Sequence, residues 1–208
     1  MPSTLKQLIE ALVKEKAPGP NPSFSTFHFL LALELIAEKS VGRTRLAQEL
    51  GIGEGATRTL LGRLKDEGLI ATSKTGCTLT EKGTEIWNNY ASRVNKVKIE
   101  KNELTFAEYS YGVLVKNGGL KVKTGIEQRD AAMMAGAKGA TTMLCRDGKL
   151  IFPAFSGDVK KDFPKALGQI TSLLHPREND AVIVVSSDTA IKAENGALAA
   201  AWTLIDED

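Results

Sequence analysis

Through the first half of the chain the apolar positions recur every three or four residues, the period of an amphipathic helix; past it they fall into short runs with the alternation of strands. Leu5, Leu8, Ile9, Leu12 and Val13 share one side of a first helix that Ser3 can cap, with Lys6, Gln7, Glu10, Lys14 and Glu15 opposite. Its apolar face has two destinations, the core of its own domain or a second subunit. Pro18, Pro20 and Pro22 cannot continue a helix and predict an extended connector. From Phe24 to about Glu38 a second amphipathic helix offers Phe27, Leu30, Leu31, Leu35 and Ile36 to a core, and His28 within it reads as a structural or surface histidine.

The stretch Arg43 to Leu79 carries the densest pattern. Leu46, Ala47 and Leu50 face inward from a short helix that Gly51 ends, since glycine takes the left-handed cap conformation without a Cβ clash. Ile52 plugs the turn. A longer helix from about Glu54 to Glu67 has Ala56, Leu60 and Leu64 on a four-residue ladder, with Thr57 and Leu61 beside them, and Gly68 stops it. Leu69 to Thr72 and Cys77 to Thr80 then pair as a hairpin around Ser73, Lys74, Thr75 and Gly76. A trailing helix, Thr80 to roughly Val97, lines up Ile86, Trp87, Tyr90, Ala91, Val94 and Val97 for an intrachain core or a dimer seam.

In the second half, strands are predicted at Tyr109–Val115, Ala140–Cys145, Lys149–Phe152 and Ala181–Ser186, with a short return strand at Leu120–Lys123 after the Gly118-Gly119 turn. Helices are predicted at Thr124 to about Ala137, Asp162 to Leu174 and Thr189 to Leu204. The fold class is therefore α+β overall. A mostly-α domain, 1–101, has an extra N-terminal helix; a two-layer α+β domain, 102–208, has an antiparallel sheet with helices over one face. The boundary is placed near Lys101, in a charged and irregular run.

Composition narrows the class. At 42% hydrophobic and 25% charged the chain is an ordinary globular protein, and without an apolar run of ~20 residues or a signal-peptide pattern it is expected to be cytoplasmic, with no membrane partner. The net charge of +2 conceals an asymmetry, +4 over residues 1–101 against −2 over 102–208. Cys77 and Cys145 are too few for a disulfide framework, and with His28 and His175 they lack the paired spacings of a metal site. G-A-K-G-A-T-T follows a helix and enters a strand, the reverse of a phosphate cradle. With no nucleophile set against a histidine base, neither an enzyme nor a cofactor is expected.

Short helix, tight turn, longer helix and hairpin, in that order, describe a winged helix-turn-helix. The long helix presents Gly55, Arg58, Thr59, Gly62 and Lys65 on its polar side, where Arg58 can bond a guanine edge, Thr59 can meet a base and the glycines let the backbone approach. Arg43 and Arg45 at the start of the preceding helix, and Lys74 at the hairpin tip, suit phosphates. The motif and the later blocks G-A-K-G-A-T-T, R-D-G-K-L-I-F-P and D-A-V-I-V-V-S-S-D resemble archaeal two-domain transcriptional regulators. That resemblance implies a DNA-binding N-terminal domain and an α+β second domain of unestablished role. The expectation is a regulator that binds double-stranded DNA, as a homodimer, through a recognition helix at about 54–67 and a wing at about 69–80. The alternative is a winged helix that docks a protein.

Two carboxylates in the second half sit among apolar neighbours, Asp130 beside Ile126, Met133, Met134 and Ala137, and Glu194 beside Ala190, Ile191, Ala197 and Leu198. A carboxylate facing a sheet must be paired, protonated or liganded. Arg129, Asp130, Thr141, Thr142 and Glu194 are therefore expected to converge on a pocket for a small effector bearing amine or hydroxyl groups, the competing expectation being a self-satisfied ion network.

Overall fold

The computed structural model describes residues 5–14, 23–153 and 159–205. The chain divides into two compact units between Ser92 and Arg93, ahead of the boundary expected near Lys101. Ser3, Glu15 and the prolines of the expected connector lie outside the described residues.

The first unit runs α1 (Leu5–Val13), α2 (Thr26–Glu38), α3 (Arg43–Leu50), α4 (Glu54–Asp66), β1 (Ile70–Ser73), β2 (Gly76–Leu79) and α5 (Glu81–Arg93). Leu8, Ile9 and Leu12 of α1 are buried. Arg63 of α4 reaches the end of α1, where its Nη1 donates to the carbonyls of Leu12 (2.7 Å) and Val13 (3.2 Å) while its guanidinium stacks on the Phe24 ring, 5.1 Å from the centroid. These are carbonyls that a helix C-terminus leaves unpaired, so the first helix is bound into its own unit. Gly51 takes φ 66° and closes α3 through N–H donation to Gln48, after which Ile52 N–H returns to the Ala47 carbonyl.

β1 and β2 pair antiparallel from Ile70↔Leu79 to Ser73↔Gly76, and Val41 bridges to Cys77 on the outer side of β2. Thr80 ties this hairpin to α5: its hydroxyl donates to the Gly68 carbonyl at 2.6 Å and accepts from the Gly83 N–H at 3.0 Å. Gly83 lies so close to the strand that a Cβ there would fall 2.0 Å from the Leu69 carbonyl oxygen. Tyr90 is buried within the unit, its phenol pKa pushed up by desolvation and by the charge of Glu34. The first unit is a winged helix-turn-helix.

The second unit holds β3 (Val94–Lys98), β4 (Tyr109–Val115), α6 (Ile126–Met134), β5 (Gly139–Arg146), β6 (Lys149–Ile151), α7 (Val159–Asp162), α8 (Pro164–Leu174), β7 (Ala181–Ser187) and α9 (Ala190–Trp202). Its sheet is antiparallel throughout in the order β3-β4-β7-β5-β6, with β7 central and buried at every position. The α+β class holds, with three differences in detail. The trailing helix stops at Arg93, and Val94–Lys98 is an edge strand paired to β4; Val94 and Val97, three apart, share a helix face but lie on opposite faces of a strand, and the ladder bonds to β4, made at long range, override the local helical period. Gly118–Leu120 is a 3₁₀ turn leaving Leu120 71% exposed, in place of a return strand.

Helices also cover both faces of the sheet, adding a layer to the two expected. Alternation along β7 sends Val182 and Val184 toward Ile170 and Leu174 of α8. It sends Val185 to the opposite face, where a Cβ on Gly196 of α9 would lie 3.0 Å from Val185 Cγ1 and 2.7 Å from Ala137 Cβ, just past α6. Among the described residues no helix is long and apolar enough to cross a membrane.

Candidate nucleic-acid interface

Helix α4 buries Thr57, Leu60, Leu61 and Leu64, which turns Gly55, Arg58, Thr59 and Lys65 outward to solvent. Against this polar side stands the β1–β2 hairpin, and between them lies a cleft of about 450 Å³. Arg58, Gly62 and Lys65 come from α4, Lys74 from the hairpin tip and Arg43 from the first turn of α3, with buried Leu61 and Cys77 at its base. Five of the eight residues expected to touch DNA thus line one concave surface of the first unit.

The electrostatics of that surface are one-sided. Arg43, Arg58, Lys65 and Lys74 are exposed, and among the described residues none of these four makes an ion pair or hydrogen bond through its side chain. Among the described residues no carboxylate lines the cleft. Like charges gathered without counterions raise the potential of a concave surface and favour an anionic partner. The tip is held by its own hydroxyls: Thr75 N–H donates to Ser73 Oγ (3.2 Å), Ser73 Oγ donates to the Gly76 carbonyl (3.2 Å), and Ser40 Oγ donates to the Thr75 carbonyl (3.1 Å). Sequence reasoning misses the serines and threonines of the tip; a run of small hydroxyl residues around Lys74 is the available signal. Burial pushes the Cys77 thiol up, so it stays protonated and serves as floor.

The remaining three of the expected DNA contacts lie outside the cleft. Arg45 is paired with Glu49 one turn on (3.5 Å), both well exposed. Thr59 donates its hydroxyl to the Gly55 carbonyl at 3.2 Å, leaving its oxygen free to accept. At both Gly55 and Gly62 an added Cβ would meet nothing within 4 Å. The fold itself therefore does not require glycine at either position, although each costs α4 about 0.5–1 kcal/mol relative to alanine.

In the second unit the five residues of the expected effector pocket do not converge as one set. Asp130 is exposed and faces away from the sheet, accepting from Arg129 Nε (3.1 Å) and Nη2 (3.0 Å), while Ile126, Met133 and Met134 are 49%, 50% and 90% exposed. The buried side of α6 is Gln128 and Ala132. α6 approaches α9 at Gly196, where a Cβ would stand 3.3 Å from the Ala132 carbonyl oxygen, and such closeness leaves no room for methionine. Glu194 does face inward, but its partner is Lys96 Nζ at 2.6 Å, a largely buried lysine that also lies 5.9 Å from the Tyr111 ring centre. Lys96 is invisible as a partner in the sequence because the local period reads its strand as helix. Arg129, Thr141 and Thr142 do meet, in a cavity of about 260 Å³ with Thr124 and Gly125 at the start of α6.

Comparison with known proteins follows the two-unit division. Residues 28–85, within the first unit, match a family described as the PH0730-like N-terminal domain. Residues 106–204, within the second, match a domain of unknown function, DUF4443. A solved structure, the hypothetical protein PH0730 from Pyrococcus horikoshii OT3, is 29% identical with a TM-score of 0.69, over 87% of this chain and 93% of its own. No curated protein matches.

Proposed function

We propose that the chain is a DNA-binding transcriptional regulator that acts as a homodimer, with α4 in a major groove and the hairpin on the neighbouring backbone. The observation that carries this reading is the cleft between α4 and the hairpin, where Arg43, Arg58, Lys65 and Lys74 converge with no carboxylate among the described residues of its walls. In this arrangement Arg58 is the base reader, because its guanidinium fork can bond O6 and N7 of one guanine together. Arg43 and Lys74 flank it and take phosphates, which fixes register without reading sequence. Gly55 and Gly62 support the same reading, since an α4 surface kept small for no internal reason suits close approach by a groove wall.

The test is a titration of the ¹⁵N-labelled protein with a duplex taken from upstream of its own gene. Amides of 42–45, 58–65 and 72–76 are expected to shift together while those of β7 stay fixed. Shifts confined to other surfaces, or none at low salt, would contradict the reading and direct attention to a protein partner for the winged helix.

A further inference from the structure

We infer that a second copy of this chain closes on the outward face of α6, the two helices running antiparallel across a two-fold axis. The inference rests on the homodimer of the function proposed above and names its seam; it does not depend on what the first unit binds.

Helix α6 turns Gln128 and Ala132 inward, with Ala132 at the close approach to α9, and its largest apolar residues face water. Among the described residues eight large hydrophobics are exposed, and three of them, Ile126, Met133 and Met134, stand on this one helix of nine residues. Single apolar residues scattered over a surface are ordinary, whereas a cluster of them on one short element marks an interaction site. Ile126, Arg129, Asp130 and Met133 follow the i, i+3, i+4, i+7 spacing and so form one stripe along the exposed side.

The order of residues in that stripe selects a second copy as its occupant. Apolar, basic, acidic, apolar is its own complement when reversed. A two-fold axis between residues 129 and 130 lays Ile126 on Met133 of the second copy and Arg129 on its Asp130, and symmetry repeats both contacts, as an isologous interface requires. Within one chain the charges are half engaged: Arg129 Nε and Nη2 donate to Asp130 Oδ1 at 3.1 and 3.0 Å, which leaves Nη1 and Oδ2 for the other copy. Both side chains are about half exposed, so the pair contributes little to the fold itself. Covered by a second copy, the two pairs become a ring of four alternating charges. Met134 flanks the stripe and in this register falls against Gly125 of the second copy, where no side chain stands in its way. Parallel helices would instead bring Arg129 to Arg129 and Asp130 to Asp130, and like charges repel across an interface. The helix is only about 13 Å long, so the seam is small and the association belongs to the micromolar range.

The experiment is sedimentation equilibrium of the full chain without DNA, from micromolar to millimolar concentration. The unaltered chain is expected to pass from monomer to dimer over that range. Met133→Glu and Met134→Glu, both at exposed positions, should weaken the dimer at least about tenfold by burying a carboxylate at the seam, while amides of β4 and β7 report an intact fold. Arg129→Asp leaves two acids on the stripe and Asp130→Arg leaves two bases. Each alone should self-associate about tenfold more weakly, and an equimolar mixture of the two should recover the dimer, because acid then faces base across the axis. A dimer that all four variants leave unchanged would overturn the seam while keeping the homodimer. A chain still monomeric at millimolar concentration would overturn both, with DNA binding read separately from the duplex titration. A mixture no tighter than its components would overturn the antiparallel register.

Discussion

Arg58 and Lys74 occupy opposite walls of one cleft, and the proposed function gives them different duties. Arg58→Ala is expected to cost about 1–3 kcal/mol of discrimination at a single base position. Lys74→Ala should weaken every sequence alike and reduce the slope of log K against log salt by about one phosphate contact. Binding isotherms on specific and random duplexes separate the two, and equal losses for both variants would remove this division of roles. Arg58, Lys65 and Lys74 are legible in the sequence because an exposed basic side chain on a helix face or turn needs only the local period to be placed. Lys96 is not, since its burial depends on a strand pairing made at long range. Away from the cleft, the Ser25 N–H donates to His28 Nδ1 at 3.0 Å, which requires that nitrogen to be unprotonated, and burial lowers the imidazole pKa. The folded state then binds fewer protons than the unfolded one below about pH 6.5. Stability is expected to be full above that pH and to fall as the solution is acidified toward the depressed folded value. Urea unfolding at several pH values checks this, and His28→Gln should flatten the dependence.

Elements show where local chemistry decides and where packing does. α3, α4 and the hairpin follow from Gly51, the leucine ladder and the turn residues, and the structure places them within a residue or two of expectation. α6 differs from expectation by rotation, because its period marks an apolar side while the close contact with α9 selects the side with the smallest residues. The same contrast makes a paired prediction on two glycines. Gly83→Ala puts a methyl group against the Leu69 carbonyl and should destabilise the first unit severely, with loss of cooperative thermal unfolding. Gly62→Ala meets nothing, so it should stabilise α4 by about 0.5–1 kcal/mol while weakening DNA binding. At the sheet edge, Glu194→Ala removes the 2.6 Å ion pair of the largely buried Lys96 ammonium and is expected to cost about 1–3 kcal/mol in chemical denaturation, less than a fully enclosed pair would.

At the scale of the whole molecule, the chain joins a winged helix-turn-helix to an antiparallel sheet with helices on both faces. The charge asymmetry seen in composition has a local counterpart in the first unit, where unpaired cations gather in one cleft although the domain is only mildly basic. Whole-chain charge therefore understates the candidate site, since lysines and arginines spent on internal contacts, such as Arg63 on the end of α1, count equally with those facing solvent. The central claim is that this cleft reads DNA, and fluorescence anisotropy of the intact protein tests it most directly. A duplex from upstream of its own gene and a shuffled duplex of equal composition are compared across a salt series. The account predicts tighter binding to the native duplex, with log K falling steeply and linearly as log salt rises. Absence of binding to either duplex at low salt would contradict it.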